Sequence, residues 1–275
     1  MDRNSQKLIC FDLDGTLLDR SKQISSENLE ILRRVTQAGH IVSIATGRLY
    51  KSACKIRHLI PTPVELICSN GAVIERDGRI IRMDQIPPDQ LEDLYDLTHF
   101  HNLTLSFDSL YKVYHTSLGW ALRMAYFSNI VNKGSLTIQS IHVRSRNEYM
   151  KYAGFYINGI VISNNHPDRL QALRRDLEAM GRFNIESSAA SNVEIIPKFS
   201  NKGSAAQILA LSHGIAPENI IAFGDGENDL KLIQTAGIGF AMGNACDLLK
   251  DSANYVIGDH TTDAIAKTLR ELLDL

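Results

Sequence analysis

Residues 12–16, Asp-Leu-Asp-Gly-Thr, place two carboxylates one residue apart directly after the apolar run Leu8-Ile9-Cys10-Phe11. Carboxylates held that close repel, and each resists ionising unless a cation or hydrogen-bond donors lie between them. The pair therefore asks for a metal ion, and hard oxygen ligands favour Mg²⁺. A single Asp-Gly after a strand is an ordinary turn, so the pair gains meaning only with partners elsewhere. Thr46-Gly47 follows the apolar run 40–45, Lys202-Gly203 opens a periodic apolar segment, and Asp225…Asn228-Asp229 follows Ile220-Ile221-Ala222-Phe223. Asp12, Asp14 and Asp225 can supply carboxylate oxygens to one Mg²⁺ that keeps water and substrate oxygens in its other positions. Lys202 at a helix amino terminus offers a point charge beside free amides, which suits an anion. The Thr46 hydroxyl adds a neutral donor. A cation, an ammonium and oriented donors around a carboxylate describe a phosphoryl-transfer site. One aspartate would attack phosphorus while the other protonates the leaving alkoxide.

The elements that hold these groups follow from the apolar pattern. Runs without alternation at 8–11, 40–45, 66–68 and 220–223 read as strands buried on both faces of a parallel sheet. Helices are expected from Ser25 or Ser26 to Gly39, from Lys202 to Gly214, from Leu230 to Gly237, and from about Thr262 to Leu273. In such sheets ligands bind at the carboxyl edge of the strands, and that edge is where Asp12, Thr46, Ser69-Asn70-Gly71 and Asp225 fall. Val73–Ile81 reads as a hairpin turning at Asp77-Gly78. From about Ile86 the pattern changes to helices interspersed with short strands. A helix opens at Pro87-Pro88, another covers roughly 118–130, the stretch 131–152 is poorly patterned, and a third follows His166-Pro167-Asp168. Phe183–Glu186 and Val193–Ile196 read as an antiparallel pair. The expected architecture is a doubly wound α/β core from residues 1–84 and 192–275, with an inserted α+β cap at 85–191.

Composition narrows the class. The chain has 275 residues, 44% of them apolar and 22% charged, and a formal net charge of −2. It has no Lys/Arg run, so nucleic acid is not an expected partner. No apolar segment reaches membrane-spanning length and the first residues are polar, so a cytoplasmic protein is expected. Cys10, Cys54, Cys68 and Cys246 form no Cys-x-x-Cys pair and are read as reduced thiols. Tyr111, His115, Trp120 and Arg123 lie in the insertion and are read as packing residues, and the nine histidines show no ligand spacing.

Asp12-Leu13-Asp14-Gly15-Thr16, Thr46-Gly47-Arg48, Lys202-Gly203 and Gly224-Asp225-Gly226-Glu227-Asn228-Asp229 resemble, in order and strand position, the four motifs of the haloacid dehalogenase superfamily. Asn70-Gly71-Ala72 and Ala241-Met242-Gly243-Asn244-Ala245, with the insertion between the second and third motifs, narrow the resemblance to the Cof-type, sugar-phosphatase-like branch (subclass IIB). One departure is Thr262-Asp263-Ala264, where that branch often has Gly-Val. The resemblance implies that Asp12 is the nucleophile, forming an aspartyl-phosphate and binding Mg²⁺. It implies that Asp14 is the general acid and then base, with its main-chain carbonyl on the metal. Leu13 (through its amide), Thr46, Gly47, Lys202 and Asn228 would hold the phosphoryl group. Asp225 would be a metal ligand, and Asp229 a further metal-side carboxylate acting through water. The expected function is a Mg²⁺-dependent phosphatase of small phosphorylated metabolites, sugar phosphates above all. A phosphomutase of the same superfamily and a non-catalytic sensor of a phosphorylated ligand are the alternatives.

Overall fold

The computed structural model describes residues 5–123, 138–163 and 165–275. They form two compact units. One comprises Met1–Gly47, Ile56–Arg82 and Asn201–Leu275, and the other Arg48–Lys55 and Met83–Ser200.

The first unit is built on an eight-stranded sheet. Its strands are β1 (Leu8–Phe11), β2 (Ile41–Ala45), β3 (Glu65–Cys68), β4 (Val73–Arg76), β5 (Arg79–Met83), β12 (Ile220–Gly224), β13 (Ile238–Ala241) and β14 (Tyr255–Val256). The order is β14-β13-β12-β1-β2-β3-β4-β5. All pairs from β14 to β3 are parallel, and β4 turns back antiparallel to β3. From β1 the chain winds one way through β2 and β3 and the other way through β12 and β13. That reversal is the point at which open α/β sheets leave a crevice at the carboxyl edge. Residues of the helices Lys202–Ser212, Leu230–Thr235 and Asp247–Ser252 pack with apolar strand residues in one core cluster.

An aromatic ladder sets the register at the crevice. Phe11, Phe223, Phe240 and Tyr255 stack across β1, β12, β13 and β14 with centroids 5.0, 4.9 and 5.5 Å apart. Each such pair contributes about 0.5–1.5 kcal/mol beyond burial. Phe11 pairs directly with Phe223, and the Asp12 N–H donates to the Phe223 carbonyl at 3.0 Å. Asp12 and Asp225 therefore leave the sheet side by side.

The second unit has a six-stranded sheet in the order β10-β11-β9-β6-β7-β8. These strands are β6 (Leu105–Asp108), β7 (Lys112–His115), β8 (Gln139–His142), β9 (Asn158–Ile162), β10 (Phe183–Glu186) and β11 (Asn192–Pro197). Leu105, Phe107, Tyr114, Val161, Phe183, Val193 and Ile195 pack with residues of the helices Pro88–Phe100, Arg146–Lys151 and Pro167–Met180. By strand alternation Ser106, Asp108, His115, Asn158, Glu186 and Glu194 take the opposite face.

Several expectations shift. The boundary drawn at residue 191 falls inside this second sheet. β11 pairs antiparallel with both β10 and β9, so the unit runs on to Ser200. Within 131–152, β8 and the helix Arg146–Lys151 were not foreseen. The helix has a readable start, since the Ser145 hydroxyl accepts from the Glu148 N–H in the Ser-x-x-Glu spacing of a capping box. The short helices Tyr50–Arg57 and Asp247–Ser252 were also not foreseen. The helix expected over 118–130 is described only for 118–123, and the rest lies outside the described residues. None of the four cysteines is in a disulfide. Among the described residues no helix is long and apolar enough to cross a membrane.

Candidate active site

Asp12, at the end of β1, is almost fully buried, and its Oδ1 accepts from Lys202 Nζ at 2.7 Å. Lys202 is wholly buried at the first turn of its helix and donates again to Asp229 Oδ1 at 2.6 Å. The other Asp229 oxygen accepts the N–H groups of Asp225 and Gly226 at 2.9 and 3.0 Å. Both Asp229 oxygens are thus engaged, and this carboxylate braces Lys202 against the loop that carries Asp225. One carboxylate oxygen from each of Asp12, Asp225 and Asp229 lies within 4.8 Å of the others.

Charge within this group is unbalanced. Burial, helped by Asp229 and Asp225 and opposed by Lys202, holds the Asp12 carboxyl well above the usual range. Burial and Asp229 push Asp225 up to about 6. Lys202 is shifted upward, because Asp12 and Asp229 outweigh its own burial. Three carboxylates against one ammonium leave room in the charge balance for a divalent cation, and an all-oxygen donor set suits Mg²⁺. Asp12, Asp225 and Asp229 each bring one oxygen to such a group, that of Asp229 being the most heavily bonded of the three.

The surrounding turns are specified locally. Gly15 has φ +91°, and a Cβ there would meet Asp225 Oδ2 at 2.2 Å. Thr16 Oγ1 donates to Asp225 Oδ1 at 2.9 Å. Thr46 is buried at the end of β2; its N–H donates to the Ile67 carbonyl, and its carbonyl accepts from Asn70. Asn70 is fully buried with φ 52°, a conformation that asparagine tolerates better than most residues, and its side chain accepts from Asn228 Nδ2 at 3.2 Å.

Comparison with known proteins agrees with this geometry. The sequence profile of haloacid dehalogenase-like hydrolases matches residues 9–269. The chain belongs to that family. An α+β insertion lies between the second and third motifs, where the resemblance implies one. One relative is the 5-amino-6-(5-phospho-D-ribitylamino)uracil phosphatase YcsE of Bacillus subtilis, 29% identical over 265 residues, covering 96% of this chain and 94% of that one. Another is the pyridoxal phosphate phosphatase YbhA of Escherichia coli, 28% identical over 274 residues, covering 95% and 96%. A solved haloacid dehalogenase-like hydrolase from B. subtilis superposes with a TM-score of 0.84 at 26% identity, covering 98% and 100%. The chain is accordingly an enzyme, a hydrolase of the phosphatase kind.

Within the family's motif set, the structure brings Asp12, Asp225, Asp229 and Lys202 together, with Asn228 beside Asn70. The Asp14 side chain lies apart from the three-carboxylate group. It is exposed and pairs with Lys22 Nζ at 2.7 Å. Leu13 between the two aspartates is buried, and its carbonyl accepts from Leu18 N–H at 2.9 Å, which closes the turn. Gly47 is half-buried after Thr46. Sequence reasoning gave no chemical role to Thr16, Asn70 or Asn244. Thr16 and Asn244 contact Asp225, Asn70 contacts Asn228, and all three stand inside motifs already noted. Their signal was a polar residue beside a glycine at a strand end. Of the four residues read as packing groups, His115 is buried and Tyr111 is about half exposed, set edge-on to Tyr50. The Arg123 guanidinium lies over the Trp120 ring at 5.7 Å.

Proposed function

We propose that this chain is a Mg²⁺-dependent phosphatase that hydrolyses monoesters of small alcohols, sugar phosphates being the leading class, through an aspartyl-phosphate on Asp12. The observation that carries the reading is Lys202, fully buried and bonded at once to Asp12 and Asp229. A buried ammonium of this kind is costly unless charge is to be handled beside it. Lys202 holds the Asp12 oxygen in place for attack and offsets phosphoryl charge, with Thr46, Gly47, Asn228 and the Leu13 amide as further donors. Asp14, on the exposed side of the same turn and paired with Lys22, is the residue that gives and later takes the proton. When bound, Mg²⁺ would supply electrophilic stabilisation of phosphoryl oxygens, held by Asp12, Asp225 and the Asp14 carbonyl, with Asp229 acting through water.

The inserted unit is the source of substrate choice in this reading. The sheet face opposite its helices carries Ser106, Asp108, His115, Asn158, Glu186 and Glu194 among apolar residues such as Ile160 and Ile196. The two relatives above are named for phosphorylated compounds of unlike ring chemistry, which fits a fixed core and a variable selecting unit. The test is phosphate release from sugar phosphates, pyridoxal phosphate, flavin mononucleotide and an aryl phosphate, each with Mg²⁺ and with chelator. Metal-dependent release is expected. Isomerised sugar phosphate without free phosphate would mean a mutase, and binding without turnover a sensor.

A further inference from the structure

Two sequence features are not used by the chemistry above: the run Ala241-Met242-Gly243-Asn244-Ala245 and the loop before the final helix. Both converge on Asp225. Asn244 is exposed, yet its amide is committed to protein atoms. Its Nδ2 donates to the Gly15 carbonyl at 2.8 Å and stands 3.4 Å from Asp225 Oδ2, while its Oδ1 accepts from the His260 main-chain N–H at 3.0 Å. The opposite Asp225 oxygen accepts from Thr16, and Gly15 closes the third side, where nothing larger than hydrogen fits. The loop is tied down separately. His260 Nδ1 lies 2.7 Å from the Leu18 carbonyl, and the Gly243 N–H donates to the Gly258 carbonyl at 3.0 Å.

We propose that Asn244 is a positioning residue for the metal site. Fixed by the His260 main chain, it holds the Gly15 turn and one edge of Asp225, so that the carboxylate meets the cation already oriented. The inference rests on the reading of Asp225 as a metal ligand. Groups that orient a ligating carboxylate change metal affinity by about 10–100-fold when removed. A side chain that merely ties two loops together would change melting temperature instead.

The experiment is calorimetric titration of Mg²⁺ into the metal-free protein without substrate, beside thermal melting. Asn244→Ala is expected to weaken Mg²⁺ binding by about 10–100-fold, with kcat recovering in excess Mg²⁺. Asn244→Gln, which keeps donor and acceptor on a longer arm, is expected to fall between Ala and the native protein. It also serves if the alanine variant does not fold. Unchanged Mg²⁺ affinity in the folded variants, or a lowered melting temperature alone, overturns the proposal. If the native protein itself binds no Mg²⁺, the metal reading of Asp225 fails first, a result distinct from native and variant binding equally well.

Discussion

In the larger sheet the central strands are buried along nearly their whole length, and the charged groups of the site stand just past their carboxyl ends. In the smaller sheet one face packs on helices, while the other carries Ser106, Asp108, His115, Asn158, Glu186 and Glu194 across its strands. The difference follows from topology. A parallel sheet covered on both faces has only its edge to offer, so its chemistry sits at one spot fixed by strand register. The second face of the smaller sheet instead spreads its polar groups over several strands, and Ser106, His115, Asn158, Glu186 and Glu194 are buried there. We read the reaction as the task of the first unit and the choice of substrate as that of the second.

Loss of Asp12 should have the largest effect. Asp12→Asn is expected to abolish turnover while the protein stays folded, checked by phosphate release and circular dichroism. Measurable activity in purified variant would place the nucleophile elsewhere. Lys202→Met removes the ammonium from two buried carboxylates and should cost about 3–5 kcal/mol in the metal-free protein, read from denaturant unfolding, together with activity. Asp14→Asn leaves that group intact and should lower kcat by about 10²–10⁴-fold with little change in melting temperature. A large loss of stability there would contradict its exposed position.

Changes in the second sheet should act more gently and on different parameters. His115 is buried, with Nδ1 2.7 Å from Ser106 Oγ and no hydrogen-bond partner on Nε2 among the described residues, and burial and His142 lower its pKa to about 4. His115→Ala or Glu194→Gln is expected to reorder substrates by about threefold to tenfold in KM, leaving kcat on the best substrate within a few-fold. An equal fall in kcat for all substrates would erase the division of labour. The smallest effect concerns Asp108, raised from 3.8 to about 7 by burial and by Glu194. Between those values the folded state holds a proton that the unfolded chain has released. Stability should therefore fall as pH rises from about 4 to about 7. Asp108→Asn should flatten that slope in melting curves taken across the range.

The core was legible because its signals are local. Unbroken apolar runs ended in Asp12, Thr46 and Asp225, so strand ends and site residues could be read together. The grouping of Lys202 with Asp12 and Asp229 needed only the rule that ligands sit at the carboxyl edge. The direction of Asp14 was not legible, since the turn from Leu13 to Leu18 that points it outward depends on main-chain hydrogen bonds. Nor were the roles of Asn70 and Asn244, whose partners lie 158 and 229 residues away. In the insertion, the sheet was misjudged at β8 and at the β11 boundary. β8 has only four residues and is placed by pairing with β7, whereas β11 was readable as a strand and only its pairing with β9 sets it inside this sheet.

The most direct test is to quench the enzyme during turnover and treat it with hydroxylamine, which converts an acyl phosphate to a hydroxamate. The peptide containing Asp12 is then weighed by mass spectrometry. A nucleophilic Asp12 gives the hydroxamate on that residue alone, dependent on substrate and Mg²⁺, and none in Asp12→Asn. Phosphate release with no adduct on Asp12, and activity surviving in Asp12→Asn, would contradict it.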